Sequence, residues 1–380
     1  MKKILHFIDS GGLYGAENVL LNLSRVMLLS NDDFLPVVGC IVQSVNEQSD
    51  LYDQAVAFGI DAEKLQINNK KFLIDLPKVA FYLKKLGISC IHSHGYKPSV
   101  AGFIIKLLTG IPVIATCHLW YMAGKRGLKQ RIMIALELFF YRFFQHIVAV
   151  SEPIKSYLVQ SGVLGEKVKI IKNGIFLDDY SFDSAITKLE FRKKNGIAEE
   201  SSVFVNIARL TEQKAQDIII NAARTLKQED INCVFILIGD GALRGKYESM
   251  VRENLVEDYV KIIGFTHNVK EWLWMADVYL LPSRDEGLPM GLLEAMASSK
   301  PAIVTPVGDI PSLVKHKISA FFIPVDDITA LVDSVKWMIA NSKERSEIGS
   351  KAFSEVKKGY SAEAMFQAYV EIYEKACSKE

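Results

Sequence analysis

An α/β fold of two Rossmann-like domains follows from three observations. Short apolar runs alternate with longer helical patterns, the arrangement that builds βαβ units and parallel sheets. The rhythm runs through the first half of the chain and restarts near residue 202. The length of 380 residues is large for one hydrophobic core and natural for two domains of comparable size.

In the first half, strands are expected at 3–8, 36–42, 90–93, 113–116 and 147–150, and helices at 16–29, 49–58, 73–86, 98–108 and 128–144. The second half offers strands at 202–207, 233–238, 260–263, 278–281 and 302–305, with helices between them. A polar stretch at 177–187, with three aspartates after the Asn173-Gly174 turn, divides the halves. The expected domains are 1–180 and 181–360, followed by a closing segment, 361–380, whose residues 361–377 read as a helix.

Apolar content of 49% and charged content of 23% belong to an ordinary globular protein. A formal net charge of +1 gives no electrostatic case for nucleic acid. Five scattered cysteines without a C-x2-C pair point to a reducing compartment and no zinc knuckle. The first apolar run is broken by His6 and Asp9, so it reads as a strand rather than a signal peptide. The longest stretch without a formal charge, residues 107–124, contains Gly110, Pro112 and His118 and suits a buried strand better than a membrane span. The expected location is cytoplasmic. Lys125, Arg126, Lys129 and Arg131 precede an apolar, aromatic helix, which is either buried behind a solvated basic loop or a peripheral contact with an anionic membrane.

Function concentrates in Ser283-Arg284-Asp285-Glu286-Gly287-Leu288-Pro289-Met290-Gly291-Leu292-Leu293-Glu294. Proline suits a first helical turn, so a helix is expected to begin near Pro289, with Glu286 in the preceding loop and Glu294 in the second turn. Free N–H groups at that helix start form a phosphate site. A carboxylate would repel the phosphate, so each Glu should reach an uncharged, hydroxyl-rich part of the ligand. Acid, phosphate-binding amides and acid fit a sugar nucleotide.

Other candidates cluster at strand ends. Arg209 and Lys214 follow the strand at 202–207 and can neutralise a departing diphosphate where no D-x-D metal motif occurs. Gly11-Gly12 opens a loop between a strand and a helix, either a ligand-free turn or a degenerate dinucleotide fingerprint with Asp32 or Asp33 at the ribose position. The G-x-G-x-x-G spacing is not met. Asp240, in Gly239-Asp240-Gly241, reads as a turn residue. His118 follows a strand, where a lone histidine is usually packed or capping. His92 and His94 share one side of a strand end, but no third metal ligand is apparent, which leaves cleft-lining or structural roles.

Glu286 to Glu294 resembles the E-x7-E signature of retaining glycosyltransferases of the GT-B fold, family 4, also called glycosyl transferases group 1. Residues 206–214 resemble that family's GRL-x3-K segment, 238–241 its GDG turn, and Gly11-Gly12 with 17–23 its opening loop and helix. Residues 148–152 and 172–175 match the end of its first domain, so the likeness runs in order over most of the chain.

The resemblance implies two domains facing across a cleft, with the last helix crossing back to the first domain. It implies metal-independent, retaining hexosyl transfer from a nucleotide-diphosphate sugar, a UDP-sugar favoured over a GDP-sugar, with no cofactor. The acceptor would be a growing glycan or a lipid-linked sugar of cell-surface polysaccharide or lipopolysaccharide biosynthesis. Arg209, Lys214, Glu286 and His118 would be catalytic, His118 facing the donor sugar. Gly11, Gly12, Gly241, Gly287, Leu288, Pro289, Met290, Gly291 and Glu294 would bind the donor. The chain departs from the family at Ala215, Lys300, Asp309, Ser312 and Ser319-Ala320, and Asp309 bears on the donor pocket. Competing readings are a GT-B sugar-nucleotide epimerase or phosphorylase and a non-catalytic sugar-nucleotide-binding subunit. A glycoside hydrolase would leave the phosphate site and paired cations without a role.

Overall fold

The computed structural model describes residues 1–13, 15–30, 33–44, 46–118, 128–180, 187–266 and 268–378, with residues 128–130 described by backbone alone. Two compact units emerge, one of Met1–Gly174 with Ala362–Glu380 and one of Ile175–Ser361. The packing division precedes the polar stretch because the Ile175 N–H donates to the Tyr360 carbonyl at 2.8 Å, tying Ile175 to the second unit.

The first unit is built on β1 (Lys2–Ile8), β2 (Phe34–Val42), β3 (Asp61–Gln66), β4 (Ile88–His94), β5 (Val113–Cys117), β6 (Ile147–Ala149) and β7 (Val168–Ile170). They pair in parallel in the order β3-β2-β1-β4-β5-β6-β7. The second unit holds β8 (Ser202–Ile207), β9 (Cys233–Ile238), β10 (Val260–Gly264), β11 (Val278–Leu281), β12 (Ala302–Val304) and β13 (Phe321–Phe322). Their order is β10-β9-β8-β11-β12-β13, again parallel. Both are doubly wound sheets with helices on both faces, and central strands such as β9 are buried along their whole length. Strand order reverses between β1 and β4 and between β8 and β11, where ligands bind such sheets beyond the strand C-termini.

Three strands are absent from the sequence expectation, and all three are sheet edges: β3, β7 and β13. An edge pairs on one side only, and β3, Asp-Ala-Glu-Lys-Leu-Gln, buries Leu65 alone. It therefore lacks the apolar run that marks a central strand.

The last helix, Ala362–Cys377, packs within the first unit and buries Met365, Phe366, Tyr369, Ile372 and Tyr373. Its Tyr373 hydroxyl lies 2.8 Å from Nδ1 of His92 on β4. No helix among the described residues is long and apolar enough to cross a membrane. The uncharged run at 107–124 contributes the buried strand β5. The helix Leu128–Tyr141 buries Ile134 and Tyr141 and exposes Ile132, Leu136 and Phe139. Lys125, Arg126 and the side chain of Lys129 lie outside the described residues, and Arg131 is exposed.

Candidate active site

In the second unit the candidate residues converge at the strand-order reversal. The Lys214 Nζ donates to both carboxylate oxygens of Glu286, at 2.6 and 2.7 Å. Ser283 Oγ donates to Glu286 Oε1 at 2.6 Å. Both side chains are largely out of water, Glu286 at 4% exposure and Lys214 at 16%. Two further contacts fasten the same loops together. Arg284 forms an ion pair with Asp217 at 2.7 Å, and Gln213 Nε2 donates to the Asp285 carbonyl at 2.9 Å. The loop after β8 and the loop after β11 thus form one surface, although 72 residues separate Lys214 from Glu286.

Arg209 is exposed, and its side chain has no hydrogen-bond or ion-pair partner among the described residues. Its backbone is held tightly. The Leu210 N–H donates to the Asp240 carbonyl at 3.0 Å, and Gln216 Nε2 donates to the Arg209 carbonyl at 3.1 Å. A Cβ on Gly241 would fall 2.4 Å from the Leu210 carbonyl oxygen, and one on Gly239 would fall 2.1 Å from that of Ala208. The Gly-Asp-Gly turn is therefore set by close approach to the arginine loop, while Asp240 pairs outward with Arg244 at 3.1 Å.

The helix after the motif runs Met290–Ala297, and its N-cap is Pro289, which supplies no side-chain cap. Its first N–H groups carry the partial positive charge of a helix start. A Cβ on Gly287 would meet nothing within 4 Å, whereas one on Gly291 would fall 2.5 Å from the Tyr279 hydroxyl. Gly308 has φ +55°, and a Cβ there would fall 1.8 Å from the Glu286 carbonyl oxygen, so this glycine seats the motif loop. Asp309 follows, its N–H donating to the Gly287 carbonyl at 3.3 Å, which puts this residue beside the loop between Glu286 and the helix.

Glu294 sits in the second helical turn beside Tyr180 and within electrostatic reach of Lys270. Burial pushes its carboxyl up to about 7, against the hydrogen bond from Tyr180 and the charge of Lys270. Near neutral pH it is therefore divided between acid and carboxylate. Tyr279 is fully buried and feels both Glu286 and Glu294, which, after burial itself, hold its hydroxyl well above the usual tyrosine range.

The first unit holds a second feature at its own reversal. A cavity of about 260 Å³ is lined by residues that include Asp9, Glu17, His94, Tyr96, Lys97 and His118. Gly11 and Gly12 lie in the loop that joins Asp9 to the helix Gly15–Leu29, and Gly11 leaves open space where a Cβ would stand. Buried Lys97 pairs with Asp9 at 3.2 Å. His118 is half-buried, and burial pulls its imidazole down to about 4.

His92 and His94 do have a third histidine beside them, which corrects the sequence expectation. His6 on β1 is the neighbour of His92 in register, and ring nitrogens of His6, His92 and His94 lie within 4.8 Å of one another. These rings have close polar neighbours already. His92 meets Tyr373 Oη at 2.8 Å and Thr116 Oγ1 at 2.7 Å, and His6 and His94 meet each other at 3.4 Å. Of the positions in question, Asp33 is described and Asp32 is not.

Comparison with known proteins decides the family. Residues 187–355 match the profile of Glycosyl transferases group 1, and residues 40–179 match that of Glycosyltransferase Family 4. The chain belongs to the group 1 glycosyl transferases. Its curated relatives include the UDP-Gal:alpha-D-GlcNAc-diphosphoundecaprenol alpha-1,3-galactosyltransferase of Escherichia coli, 27% identical over 342 residues, covering 88% of this chain and 87% of that one. The amylovoran biosynthesis glycosyltransferase AmsK of Erwinia amylovora is 29% identical over 193 residues, 49% of this chain and 45% of that one. Among solved structures, HepE of Anabaena in complex with UDP-glucose superposes with a TM-score of 0.84 at 20% identity, covering 99% of this chain and 100% of that one. The fold is GT-B.

Several residues of this glycosyltransferase escaped sequence reasoning: Asp217 and Arg284, which join the two loops; Tyr279 and Tyr180 beside the glutamates; and Asp9, Glu17, Tyr96 and Lys97 in the first unit. Position was the available signal. Asp9 directly follows β1, and Arg284 lies just beyond β11, at the strand ends where such sheets bind ligands.

The Lys214–Glu286 pair sets a stability expectation. Removing the lysine leaves a buried carboxylate, a change that costs about 3 kcal/mol. Lys214→Ala should lower the denaturant midpoint clearly, and adding Glu286→Gln should restore much of the loss. A double variant no more stable than Lys214→Ala would show that the pair is not coupled.

For Glu294 the sign follows from its raised folded value. The native state holds its proton between the unfolded value of 4.5 and the folded value of about 7, so stability falls as pH rises from 4.5 to 7 and the loss is complete above 7. Glu294→Gln should therefore stabilise the protein by about 3 kcal/mol at pH 8 and hardly at all at pH 4.5. Thermal unfolding at both pH values checks this, and equal effects at both would contradict it.

Proposed function

We propose that this glycosyltransferase is a retaining, metal-independent hexosyltransferase. It moves a hexose from a nucleoside-diphosphate sugar, a UDP-sugar before a GDP-sugar, onto a growing glycan or lipid-linked acceptor. The setting is assembly of cell-surface polysaccharide or lipopolysaccharide, at the cytoplasmic side and without a cofactor. The carrying observation is the second unit's cluster: exposed Arg209, the buried Lys214–Glu286 pair and a helix start without a side-chain cap. Residue chemistry supports each role. Transfer breaks the bond between the anomeric carbon and the diphosphate, and the departing diphosphate gains negative charge. Arg209, Lys214 and the amides of Met290 and Gly291 offer positive charge to it.

Gly287, Leu288 and Pro289 belong to the same donor loop, with Gly241 holding the arginine loop beside it. Glu286 and Glu294 are acceptors for hydroxyl groups, Glu286 for the transferred sugar and Glu294 for the ribose. A carboxyl retained at Glu294 against a burial cost fits a ligand-binding role. The cavity of the first unit, with His118 and the Gly11-Gly12 loop, suits a polar sugar hydroxyl. HepE binds UDP-glucose and the Escherichia coli relative uses UDP-Gal with a diphosphoundecaprenol-linked sugar, which supports the donor and acceptor classes. Exposed Ile132, Leu136 and Phe139 support peripheral contact with an anionic membrane through Lys125, Arg126, Lys129 and Arg131.

Incubation with UDP-, GDP- and ADP-hexoses and lipid-linked acceptors, followed by mass and anomeric analysis of products, tests this reading. The expected product keeps the donor's anomeric configuration, forms best from a UDP-hexose and survives EDTA. Arg209→Ala should lower kcat about 10²-fold, the usual loss for one preorganised electrostatic partner. Strict dependence on an added divalent metal, or Arg209→Ala turning over within a few-fold of wild type, would overturn the assignment.

A further inference from the structure

Beneath His118 lies a row of buried groups that the transfer chemistry leaves unexplained. His118 Nε2 meets His94 Nδ1 at 3.1 Å, His94 Nε2 meets His6 Nδ1 at 3.4 Å, and His6 Nε2 meets the Met27 sulfur at 3.4 Å. His6, His94 and Met27 are buried within the first unit, and His118 and His94 line its cavity. The row has one fixed end. A thioether sulfur has no proton to give and can only accept.

A neutral imidazole carries one N–H and one bare nitrogen, so the fixed end sets every ring in turn. His6 must place its proton on Nε2 to donate to Met27, which leaves Nδ1 bare. That nitrogen accepts from His94 Nε2, leaving His94 Nδ1 bare to accept from His118 Nε2. Burial keeps the rings neutral: it holds His6 down to about 3 and His118 to about 4, and with the neighbouring rings it keeps His94 well below the usual histidine range. The opposite polarity would set the bare Nε2 of His6 against the sulfur lone pairs in a dry site.

We propose that Met27, through His6 and His94, fixes His118 as the Nε2–H tautomer, so that its Nδ1 is a hydrogen-bond acceptor that selects a neutral hydroxyl-bearing ligand over a carboxylate or phosphate. Met27, His6 and His94 are positioning residues in this account. The tautomer row stands on the ring contacts and the burial that keeps the rings neutral; only the identification of the hydroxyl with a sugar rests on the transferase reading. His92 stays outside the row, since its two nitrogens face Tyr373 and Thr116.

The test is a long-range ¹H–¹⁵N correlation spectrum of the full-length protein labelled at histidine, recorded at neutral pH and assigned with single histidine variants. The expected wild-type result is His6, His94 and His118 all protonated at Nε2 and bare at Nδ1. Protonation of His118 at Nδ1 in the wild type, or fast exchange between its tautomers there, would overturn the proposal. Met27→Leu conserves volume and should convert His118 to a tautomer mixture while lowering kcat/KM about fivefold, the size of one net hydrogen bond. An unchanged His118 spectrum in folded Met27→Leu would also overturn it. Titration with zinc chloride should leave the three ring signals in place, and stoichiometric movement to metal-bound positions would overturn it in favour of a metal centre. A His118 tautomer as expected, together with full transfer by His118→Phe, would sustain the row and remove His118 from the transferase reading.

Discussion

A lysine and a glutamate brought together out of water at the reversal of the second sheet are the constraint on which the candidate site depends. Glu286 has no room for an uncompensated charge, and Lys214 with Ser283 supplies the compensation. The pair also joins two loops that emerge from β8 and β11, beside the Arg284–Asp217 and Gln213–Asp285 contacts. Gly308 and Gly241 then become necessary for a geometric reason: each lets backbone approach one of those loops more closely than any side chain would allow. Charge, backbone and helix start are thereby fixed relative to one another before any ligand arrives, which is what electrostatic stabilisation of a departing diphosphate requires.

The same pair has a consequence for ligand binding. A lysine already satisfied by a buried carboxylate is not a free cation for a diphosphate, whereas exposed Arg209 is. Under the proposed function, diphosphate binding divides or transfers the lysine's hydrogen bonds, and the carboxylate that gives them up needs new donors. Sugar hydroxyls are suitable donors. In this account a free nucleoside diphosphate competes with Glu286 for Lys214, while the whole sugar nucleotide satisfies both.

Much of this was legible in the residues. The central strands, such as Cys233–Ile238, are unbroken apolar runs because both of their faces are covered. The helix start after Pro289 was readable because proline suits a first turn. What stayed hidden was long-range. No local pattern joins Lys214 to Glu286, Arg284 to Asp217, or His6 to His92 and His94, since only the parallel register of β1 with β4 brings the histidines together. The edge strand Asp61–Gln66 was illegible for a different reason, being polar and paired on one side. The raised carboxyl of Glu294 depends on burial that its immediate neighbours in sequence do not announce.

The central claim is that Lys214 is shared between Glu286 and the diphosphate, and calorimetric titration of free UDP into wild type and Glu286→Gln tests it most directly. With the carboxylate neutralised, Lys214 is released, so the variant should bind UDP as tightly as wild type or several-fold more tightly while its transfer activity collapses. Marked weakening of UDP binding by Glu286→Gln would contradict the account, because it would place the carboxylate on the nucleotide rather than in competition with it.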